Sequence, residues 1–265
     1  MDRRLMQTML DVDEHHWWYR GRREVIDQEL ARLSLARNTH ALDAGCGSGR
    51  TLEELSRRCA SVAGLELNPE AAEVARGRGD FEIRTGRVEE LPWEARSFDL
   101  ITCLDVIEHT PDDTVALREL RRVSRPGGWL LITVPAYQSL WSTHDEMNHH
   151  YRRYSRRRLA RAINEAGWQL ERMTSFNSLL LVPAALVRVG QRRRRTGEGR
   201  YTSELQLPPA WLNRLLELPL RAESRWLAAG RSLPAGLSLL AVARNPAVIK
   251  RVPEPVQAER LAAGA

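Results

Sequence analysis

The chain has very few cysteines, since Cys46, Cys59 and Cys103 are the only ones among its 265 residues. An odd number of cysteines without the spacing of metal ligands predicts neither a disulfide framework nor a zinc site. Because disulfides persist mainly in oxidising compartments, this composition favours a reducing one. The segment after Met1 is charged and lacks the apolar centre of a signal peptide, so we expect a cytoplasmic protein.

Long hydrophobic runs are also absent. The longest covers residues 179–187, which are nine residues with Pro183 among them. A helix needs about 20 apolar residues to cross a bilayer, so the sequence predicts no transmembrane segment. The hydrophobic content of 43% and the charged content of 28% are typical of a globular chain and exclude a disordered one.

Lysine is almost missing, because Lys250 is the only one among 40 basic residues, and the net charge is +6. The arginines are unevenly distributed: residues 151–200 contain 13 of them and only three glutamates. Four arginines are consecutive at 192–195. Such a run after an apolar segment is typical of a surface that contacts an anionic membrane, or of a solvated loop beside a helical cap. Since no aromatic residues interrupt the run, we do not expect nucleic acid as a partner.

Glycine is concentrated in the stretch D-A-G-C-G-S-G at residues 43–49, which follows a short apolar run and precedes a helical pattern. Glycines at a strand-to-helix corner allow a tight turn and let a ligand lie against the backbone. A dinucleotide-binding fingerprint would need a third glycine five residues after Gly45, where this chain has Arg50. The spacing therefore disfavours a dinucleotide.

The pattern D-x-G-x-G-x-G resembles motif I of the class I S-adenosylmethionine (AdoMet)-dependent methyltransferases. A second match is S-F-D-L-I-T-C-L-D-V-I-E-H at residues 97–109, which is similar to ubiquinone- and menaquinone-biosynthesis-like methyltransferases. The N-P-P-[FY] motif of nucleic-acid amino-methyltransferases is missing at this point, which argues against methylation of DNA bases. The resemblance covers about residues 37–176 and 237–244.

The resemblance also implies where AdoMet binds. Glu66, at the end of the second predicted strand, corresponds to the acid that accepts hydrogen bonds from both ribose hydroxyls, and two carboxylate oxygens suit a vicinal diol. Where the family usually has an aspartate that bonds the adenine amino group, this chain has Arg87. Adenine would then be held by the Val88 backbone with Arg87 stacked on it, or by Glu89. The implied cofactor contacts are Asp43, Gly45, Cys46, Gly47, Gly49, Glu66, Leu67, Arg87, Val88, Glu89, Leu104 and Asp105.

Alternating strand and helix patterns predict an α/β fold. The resemblance implies a Rossmann-like, mostly parallel sheet of seven strands in the order 3-2-1-4-5-7-6, with helices on both faces and only the last strand antiparallel. We expect the fifth strand at 129–135, after a turn at 125–128. The predicted divisions are an N-terminal helical lid at 1–36, an AdoMet-binding core at 37–176, a helical cap insertion at 177–236, the last core strand at 237–245 and a C-terminal tail at 246–265.

Polar clusters follow the fourth and fifth predicted strands, at the edge where open α/β sheets bind ligands. The first is D-x-x-E-H at 105–109, and the second is H-D-E at 144–146 with H-H-Y-R-R-Y at 149–154. An oxygen acceptor needs a general base, and histidine has a suitable unperturbed pKa of about 6.5. The candidate catalytic residues are His144, His150 and His109, with Asp145 as the residue that orients the base.

Two features of the sequence, the polar clusters and an aromatic segment near the start of the chain, each allow two interpretations. The preferred interpretation of the polar clusters contains no metal ion, but a divalent ion held by Glu108, His109 and the second cluster is the alternative, because oxygen and imidazole groups can both be ligands. The aromatic segment W-W-Y at 17–19 either packs a helix on the domain or acts as a lid that excludes water from the pocket.

The sequence therefore predicts an AdoMet-dependent methyltransferase that acts on a small-molecule or lipid-linked acceptor, at oxygen rather than carbon or nitrogen. Such an enzyme mainly aligns and desolvates its reactants. Two other classes stay open: an NAD(P)-dependent oxidoreductase, and a non-catalytic AdoMet-binding adaptor whose basic cap contacts membrane or RNA. Peripheral contact with the inner face of the membrane is a further hypothesis.

Overall fold

The computed structural model describes residues 12–186 and 207–247. In these residues a single sheet lies between two layers of helices. The strands are β1 (His40–Ala44), β2 (Ser61–Glu66), β3 (Glu82–Thr85), β4 (Phe98–Leu104), β5 (Ser124–Pro135), β6 (Gln169–Phe176) and β7 (Ser238–Arg244). The helices are α1 (Trp17–Arg32), α2 (Arg50–Ser56), α3 (Pro69–Arg76), α4 (Asp113–Val123), α5 (Thr143–Met147), α6 (Arg156–Glu165) and α7 (Ala210–Ala228).

The strands form one seven-stranded sheet in the order β3-β2-β1-β4-β5-β7-β6. β7 is antiparallel to both of its neighbours, and the other paired strands are parallel. This confirms the predicted fold class and strand order. Asp43 of β1 lies beside Gly64 of β2 and Thr102 of β4, so the carboxyl ends of these three strands meet at one edge of the sheet.

Each face of the sheet is covered by its own apolar cluster. On one face, Leu117 of α4 and Ile163 of α6 are fully buried against the strands. On the other face, Ile26 of α1 and Leu220 of α7 have the same role. Burial of one such side chain contributes about 1.5–3 kcal/mol, so the helices are held mainly by these contacts rather than by their own helix propensity.

Helices α1 and α7 lie in close contact because α1 has a glycine where they meet. A Cβ added to Gly21 would lie 2.4 Å from Cδ1 of Leu220. At the other end of the contact, Asn213 accepts a hydrogen bond from the Trp17 N–H (2.9 Å) and donates one to the His15 carbonyl (2.7 Å). The division of the chain into lid, core and cap stays a prediction, although α7 packs on the sheet beside α1.

Strand β5 is longer than the sequence predicted. It begins at Ser124, so the separate turn predicted at 125–128 is wrong. Ser124 pairs with Phe98 of β4, and the Gly127 N–H donates a 2.7 Å hydrogen bond to the Asn245 carbonyl. These partners on both sides keep the segment in the sheet, while a register shift after Phe98 accommodates the bend.

Some predicted features lie outside the described residues. They are the first eleven residues, the arginine run at 192–195 and the tail from residue 248 onward. Among the helices that the structure describes, none combines the length and the apolar composition needed to span a bilayer. Of the two features behind the membrane hypothesis, the arginine run therefore lies outside the described residues, whereas most of the apolar run before it is described.

Candidate functional site

A cavity of about 1190 Å³ lies at the carboxyl edge of β1, β2 and β4. Small-molecule sites usually measure about 300–1,000 Å³, so this cavity has room for a nucleoside and a second ligand. The glycine corner and the end of β2 form one part of its wall, here called the donor wall, and His109, His144 and His150 belong to another part, here called the acceptor wall. Most of the predicted cofactor residues and the predicted catalytic histidines thus face a common space, although Asp43 and Gly49 do not line it.

The glycine corner turns through left-handed backbone, with φ of 87° at Gly45, 53° at Gly47 and 85° at Gly49. A Cβ at Gly45 would lie 2.3 Å from Cγ2 of Val106, whereas a Cβ at Gly47 would meet no described atom within 4 Å. Gly45 is therefore required for packing, and Gly47 presents bare backbone to the cavity. Gly49 is packed against Ala75 and does not line the cavity.

Asp43 lies behind the corner and is not part of the cavity wall. Its side chain is buried and accepts a 2.6 Å hydrogen bond from the Thr102 hydroxyl. Burial raises the pKa of Asp43 to about 6 because the charged form is desolvated. The side chain links β1 to β4 beneath the corner, and its predicted contact with the cofactor stays a prediction.

Glu66 is buried at the tip of β2 and lines the cavity beside Gly47. One carboxylate oxygen accepts a hydrogen bond from the Gly47 N–H (2.9 Å), and the other accepts one from the Asn68 N–H (2.8 Å). A carboxylate oxygen can accept two hydrogen bonds, so each oxygen retains one acceptor site. The geometry therefore fits a vicinal diol, with one hydroxyl for each oxygen.

The loop after β3 contributes Val88, whose side chain is buried, and Arg87, whose side chain is 56% exposed. Arg87 donates a 2.8 Å hydrogen bond to Glu89, so the two side chains form an ion pair at the rim of the cavity. Leu67, from the end of β2, is also exposed at this rim. These four residues line the cavity together, and their predicted contacts with the cofactor stay predictions.

Leu104 and Asp105 line the cavity at the end of β4. Asp105 has a φ of 57° and forms a 2.6 Å ion pair with Arg22 of α1. The Nε of Arg22 is buried without a hydrogen-bond partner among the described residues. Arg22 was missed from the sequence because it is one of several arginines in a charged helix, and only its four-residue spacing from Trp18 places both on one helix face. Its guanidinium lies 5.3 Å from the Trp18 ring.

The segment before α1 is attached to the glycine corner. The hydroxyl of Ser48 donates a hydrogen bond to Asp13, and Arg50 forms an ion pair with Glu14. The aromatic residues of the W-W-Y segment at 17–19 line the same cavity. These contacts fit the lid interpretation, because they hold α1 across the mouth of the predicted cofactor site.

The acceptor wall is organised around Asp145, which is fully buried. It accepts hydrogen bonds from Nδ1 of His150 (2.9 Å), Nε of Arg153 (2.7 Å) and the Ser142 N–H (2.8 Å). Although burial opposes ionisation, these hydrogen bonds and the Arg153 charge hold the pKa of Asp145 well below its ordinary value. Asp145 is therefore a carboxylate hydrogen-bonded to His150, and its predicted role of orienting a catalytic base stays a prediction.

The predicted histidines are close together in the structure. The ring centroids of His109 and His150 are 4.5 Å apart, and those of His144 and His150 are 6.4 Å apart. Nδ1 of His109 lies 2.9 Å from the Asn148 carbonyl, which can only accept a hydrogen bond, so Nδ1 carries the proton. Burial, together with the neighbouring His150, lowers the pKa of His109 to about 4. His109 is neutral at physiological pH.

Glu108 is the residue of this wall that the sequence left without a catalytic role. It is 1% exposed, and neither carboxylate oxygen has a hydrogen-bond partner among the residues that the structure describes. Burial, with the nearby Asp105 charge, raises the pKa of Glu108 well above its ordinary value. No sequence pattern could reveal this, because the missing partners are a property of the folded surroundings.

Comparison with known proteins identifies the domain. Residues 42–132 match the family described as "Methyltransferase domain". The Xanthomonas oryzae pv. oryzae protein named ubiquinone biosynthesis O-methyltransferase is 39% identical over 114 residues, which are 41% of this chain and 47% of that protein. Its namesake in Xanthomonas axonopodis pv. citri is 34% identical over 160 residues, which are 53% of this chain and 66% of that protein. The chain spans about half the length of several of the curated relatives that it matches.

Solved structures agree with this. Geranyl diphosphate C-methyltransferase from Streptomyces coelicolor A3(2), solved with Mg²⁺, geranyl diphosphate and S-adenosyl-L-homocysteine, has a TM-score of 0.55 at 16% identity and covers 83% of this chain and 77% of that one. At that identity the likeness shows the fold alone. The resemblance predicted from the glycine corner is confirmed: the chain contains a class I methyltransferase domain, and AdoMet is the cofactor that this family implies.

Proposed function

We propose that this protein transfers a methyl group from AdoMet to an oxygen atom of a small-molecule or lipid-linked acceptor. The observation that carries the proposal is the arrangement of the cavity. Glu66 and the bare backbone at Gly47 form one part of the cavity wall, and His150, which is held by the buried Asp145, forms another part. A donor site and a group that can activate a hydroxyl therefore share one space that is large enough for both substrates.

The residues of the donor wall fit AdoMet. Glu66 can accept both ribose hydroxyls, Val88 offers a buried apolar contact to adenine, and Arg22 is a cation beside the end of β4 that suits the carboxylate of the methionine part. When bound, AdoMet supplies an electrophilic methyl group on a positively charged sulfur. The aromatic residues at 17–19 would exclude water from that sulfur.

The acceptor wall contains a group that can remove the proton of the acceptor hydroxyl. The acceptor oxygen forms a bond to the methyl carbon as the carbon–sulfur bond breaks, and its proton must leave. His150 donates from Nδ1 to Asp145, so Nε2 is the ring nitrogen that can accept this proton. The O-methyltransferase names of the relatives support an oxygen acceptor, although they concern proteins that this chain matches over about half their length.

Apolar side chains in the rest of the wall indicate the character of the acceptor. Trp17, Trp18, Leu180, Pro183 and Leu216 line the cavity. A hydroxyl on an aromatic or prenylated body would bury its apolar part against these residues. Cytoplasmic location and contact with an anionic membrane belong to the same proposal, since a lipid-linked acceptor would be reached from a membrane surface.

The test is transfer of tritium from methyl-labelled AdoMet into the lipid and aqueous fractions of a cell extract, with Glu66→Gln as the control that should label neither. We expect the label in the lipid or hydrophobic fraction, as a methoxy group identified by mass spectrometry and NMR. Label on carbon or nitrogen would contradict the oxygen acceptor. Absence of label from every fraction, with AdoMet binding intact, would instead support the non-catalytic adaptor.

A further inference from the structure

We propose that Glu108, His109 and His150 form a binding site for one divalent transition-metal ion, with Zn²⁺ as the preferred ion. Each of the three residues offers one ligand atom, and these atoms lie within 4.8 Å of one another. Zinc–ligand bonds measure about 2.0–2.2 Å, so two ligands of one tetrahedral ion lie about 3.3–3.6 Å apart. Side-chain movements of about 1 Å, within ordinary rotamer freedom, would close the site.

The backbone brings the two parts of this site together. Glu108 and His109 lie in a single turn of 3₁₀ helix, Ile107–His109, that follows β4. His150 comes from the loop after α5, and the Tyr151 N–H donates a 2.7 Å hydrogen bond to the Glu108 carbonyl. That hydrogen bond fixes the loop beside the turn, so the juxtaposition of the ligands is built into the fold.

Both imidazoles are oriented as metal ligands usually are. Nδ1 of His109 donates to the Asn148 carbonyl and Nδ1 of His150 donates to the Asp145 carboxylate, each over 2.9 Å. The unshared lone pair of each ring is therefore on Nε2. Metal-bound histidines commonly donate their other ring N–H to a carbonyl or a carboxylate, which fixes both tautomer and ring orientation. Arg153 and the Ser142 N–H hold Asp145 in place in turn.

Glu108 supplies the independent observation that points to a ligand. Its side chain is 1% exposed and lines the cavity, yet both oxygens lack a partner among the described residues. Buried polar atoms are almost always hydrogen-bonded or bound to an ion. The neighbouring cations are already paired, because Arg22 contacts Asp105 and Arg153 contacts Asp145. A metal ion would give Glu108 the partner that none of the described residues provides.

The donor set determines which ion fits. Two imidazole nitrogens and one carboxylate suit Zn²⁺, Fe²⁺, Co²⁺ or Ni²⁺, whereas Mg²⁺ and Ca²⁺ prefer oxygen ligands alone. Three protein ligands leave at least one coordination position free, and all three residues line the cavity. From the sequence alone, the preferred interpretation of the polar clusters contained no metal ion. The structure favours the alternative with a divalent ion, because neither Glu108 oxygen has a hydrogen-bond partner among the described residues.

The role of the ion, unlike the site itself, rests on the proposed function. A hydroxyl bound to Zn²⁺ loses its proton far more readily than a free one, because the cation stabilises the oxyanion. The proton would pass to water in the cavity, and the oxygen would then attack the methyl carbon. His109 and His150 would act as ligands and not as bases.

The experiment is metal analysis of the untagged full chain after removal of ions with a chelator. We expect Zn²⁺ to rebind at one ion per chain by calorimetry and plasma mass spectrometry, with Mg²⁺ at least ~100-fold weaker. Co²⁺ in place of Zn²⁺ should give the visible absorption of a four- or five-coordinate site. If the wild-type chain binds no Zn²⁺ above background, the proposal is overturned whatever the variants do.

Variants locate the ion. Glu108→Gln and His150→Gln should each weaken Zn²⁺ binding by roughly 100-fold. His149→Asn is the matched control, because His149 lies in the same wall outside the ligand set and has a φ of 55°, which asparagine tolerates. We expect AdoMet affinity to depend on the donor wall and not on these residues. Its measurement therefore checks that each variant is folded. If all three variants bound Zn²⁺ with equal affinity, the assignment of Glu108 and His150 as ligands would be wrong.

Activity separates this proposal from the proposed function. Methyl transfer by a chain that binds no Zn²⁺ would overturn the metal site and leave the methyltransferase with a histidine base. Stoichiometric Zn²⁺ binding that depends on Glu108, without methyl transfer into any fraction, would support the site and refute the proposed function.

Discussion

The donor wall and the acceptor wall of the cavity are built in different ways. The centre of the donor wall, the glycine corner and Glu66, comes from residues 45–68, and its acid already has a backbone donor for each oxygen, from Gly47 and Asn68. The acceptor wall is assembled from two distant segments joined by the Tyr151 N–H and the Glu108 carbonyl, and no described residue is a hydrogen-bond partner of the Glu108 carboxylate. The backbone thus orients the acid of the donor wall, whereas the described residues do not orient the buried acid of the acceptor wall in this way.

The largest effect should follow from removing the acid of the donor wall. Glu66→Ala abolishes two hydrogen bonds to a charged acceptor, each contributing about 1.5–3 kcal/mol, so AdoMet affinity should fall at least ~100-fold. Calorimetric titration with AdoMet measures this loss of affinity. The fold should survive, because the two freed amides, of Gly47 and Asn68, lie next to a cavity that water can enter.

Glu73→Ala is the matched control, since Glu73 is an exposed acid on the neighbouring helix α3 whose side chain is 77% exposed. It should leave both AdoMet affinity and melting temperature unchanged. If Glu66→Ala also left the affinity unchanged, the ribose role would be refuted and the donor wall would have to be assigned to another ligand.

On the acceptor wall, we expect substitutions to lower kcat and to leave AdoMet affinity nearly unchanged. His150→Gln should lower kcat by about 100-fold, because general-base or metal-ligand chemistry at Nε2 is lost, while AdoMet affinity changes less than about twofold. His144→Gln should have a smaller effect, since the His144 ring is 6.4 Å from His150. Kinetics with AdoMet varied at saturating acceptor measures the split. Equal losses of kcat and AdoMet affinity would mean that the two walls are not independent.

The difference between the walls also explains what the sequence could predict. Asp43, Gly45 and Glu66 follow local rules of strand, turn and helix, so motif spacing located the glycine corner and the end of β2, and the family resemblance then implied the strand order. Arg22 could not be assigned, because its contact with Asp105 joins residues far apart in the chain.

The acceptor wall was predicted only as a set of residues. The sequence singled out His109, His144, His150 and Asp145, and the structure brings them together. It could not predict that Glu108 is buried without a partner, since burial and missing hydrogen bonds arise from tertiary packing. The start of β5 was misplaced for the same reason: its first residues are held by Asn245, beyond the last strand.

Two glycines in the donor wall separate stability from binding. Gly45→Ala would place Cβ 2.3 Å from Val106, and we expect a loss of about 3 kcal/mol of unfolding free energy from overpacking and positive-φ strain. Gly47→Ala meets no described atom within 4 Å, so it should cost only the backbone strain, about 1–2 kcal/mol, but its methyl group enters the cavity. AdoMet affinity should fall about 10-fold for Gly47→Ala.

Thermal unfolding with and without AdoMet distinguishes the two variants. Gly45→Ala should lower the melting temperature in both conditions, whereas Gly47→Ala should mainly lose the stabilisation that AdoMet provides. If both variants lost only stability, Gly47 would not face the ligand and the donor wall would be misassigned.

The smallest effect concerns the position where the donor wall departs from the family pattern. Arg87→Asp restores the aspartate that, in the resembled family, bonds the adenine amino group. One such hydrogen bond is worth about 1 kcal/mol, so AdoMet affinity should rise by no more than about fivefold. In the wild-type chain Glu89 accepts a hydrogen bond from Arg87. In the variant, Glu89 repels the introduced aspartate, which will reduce the gain in affinity. Calorimetry at low and high salt would reveal that repulsion as a dependence on ionic strength.

The direction of the change decides between the two interpretations of this loop. If Arg87 only pairs with Glu89 at the rim, its replacement by aspartate should strengthen binding. If its guanidinium stacks on adenine, the same replacement should weaken binding by a similar factor, and Arg87→Lys should weaken it as well, because an ammonium group lacks the planar face. Arg87→Lys should leave affinity unchanged in the first case, since lysine can still pair with Glu89. The pair of variants therefore shows whether this exposed arginine belongs to the donor wall or only borders it.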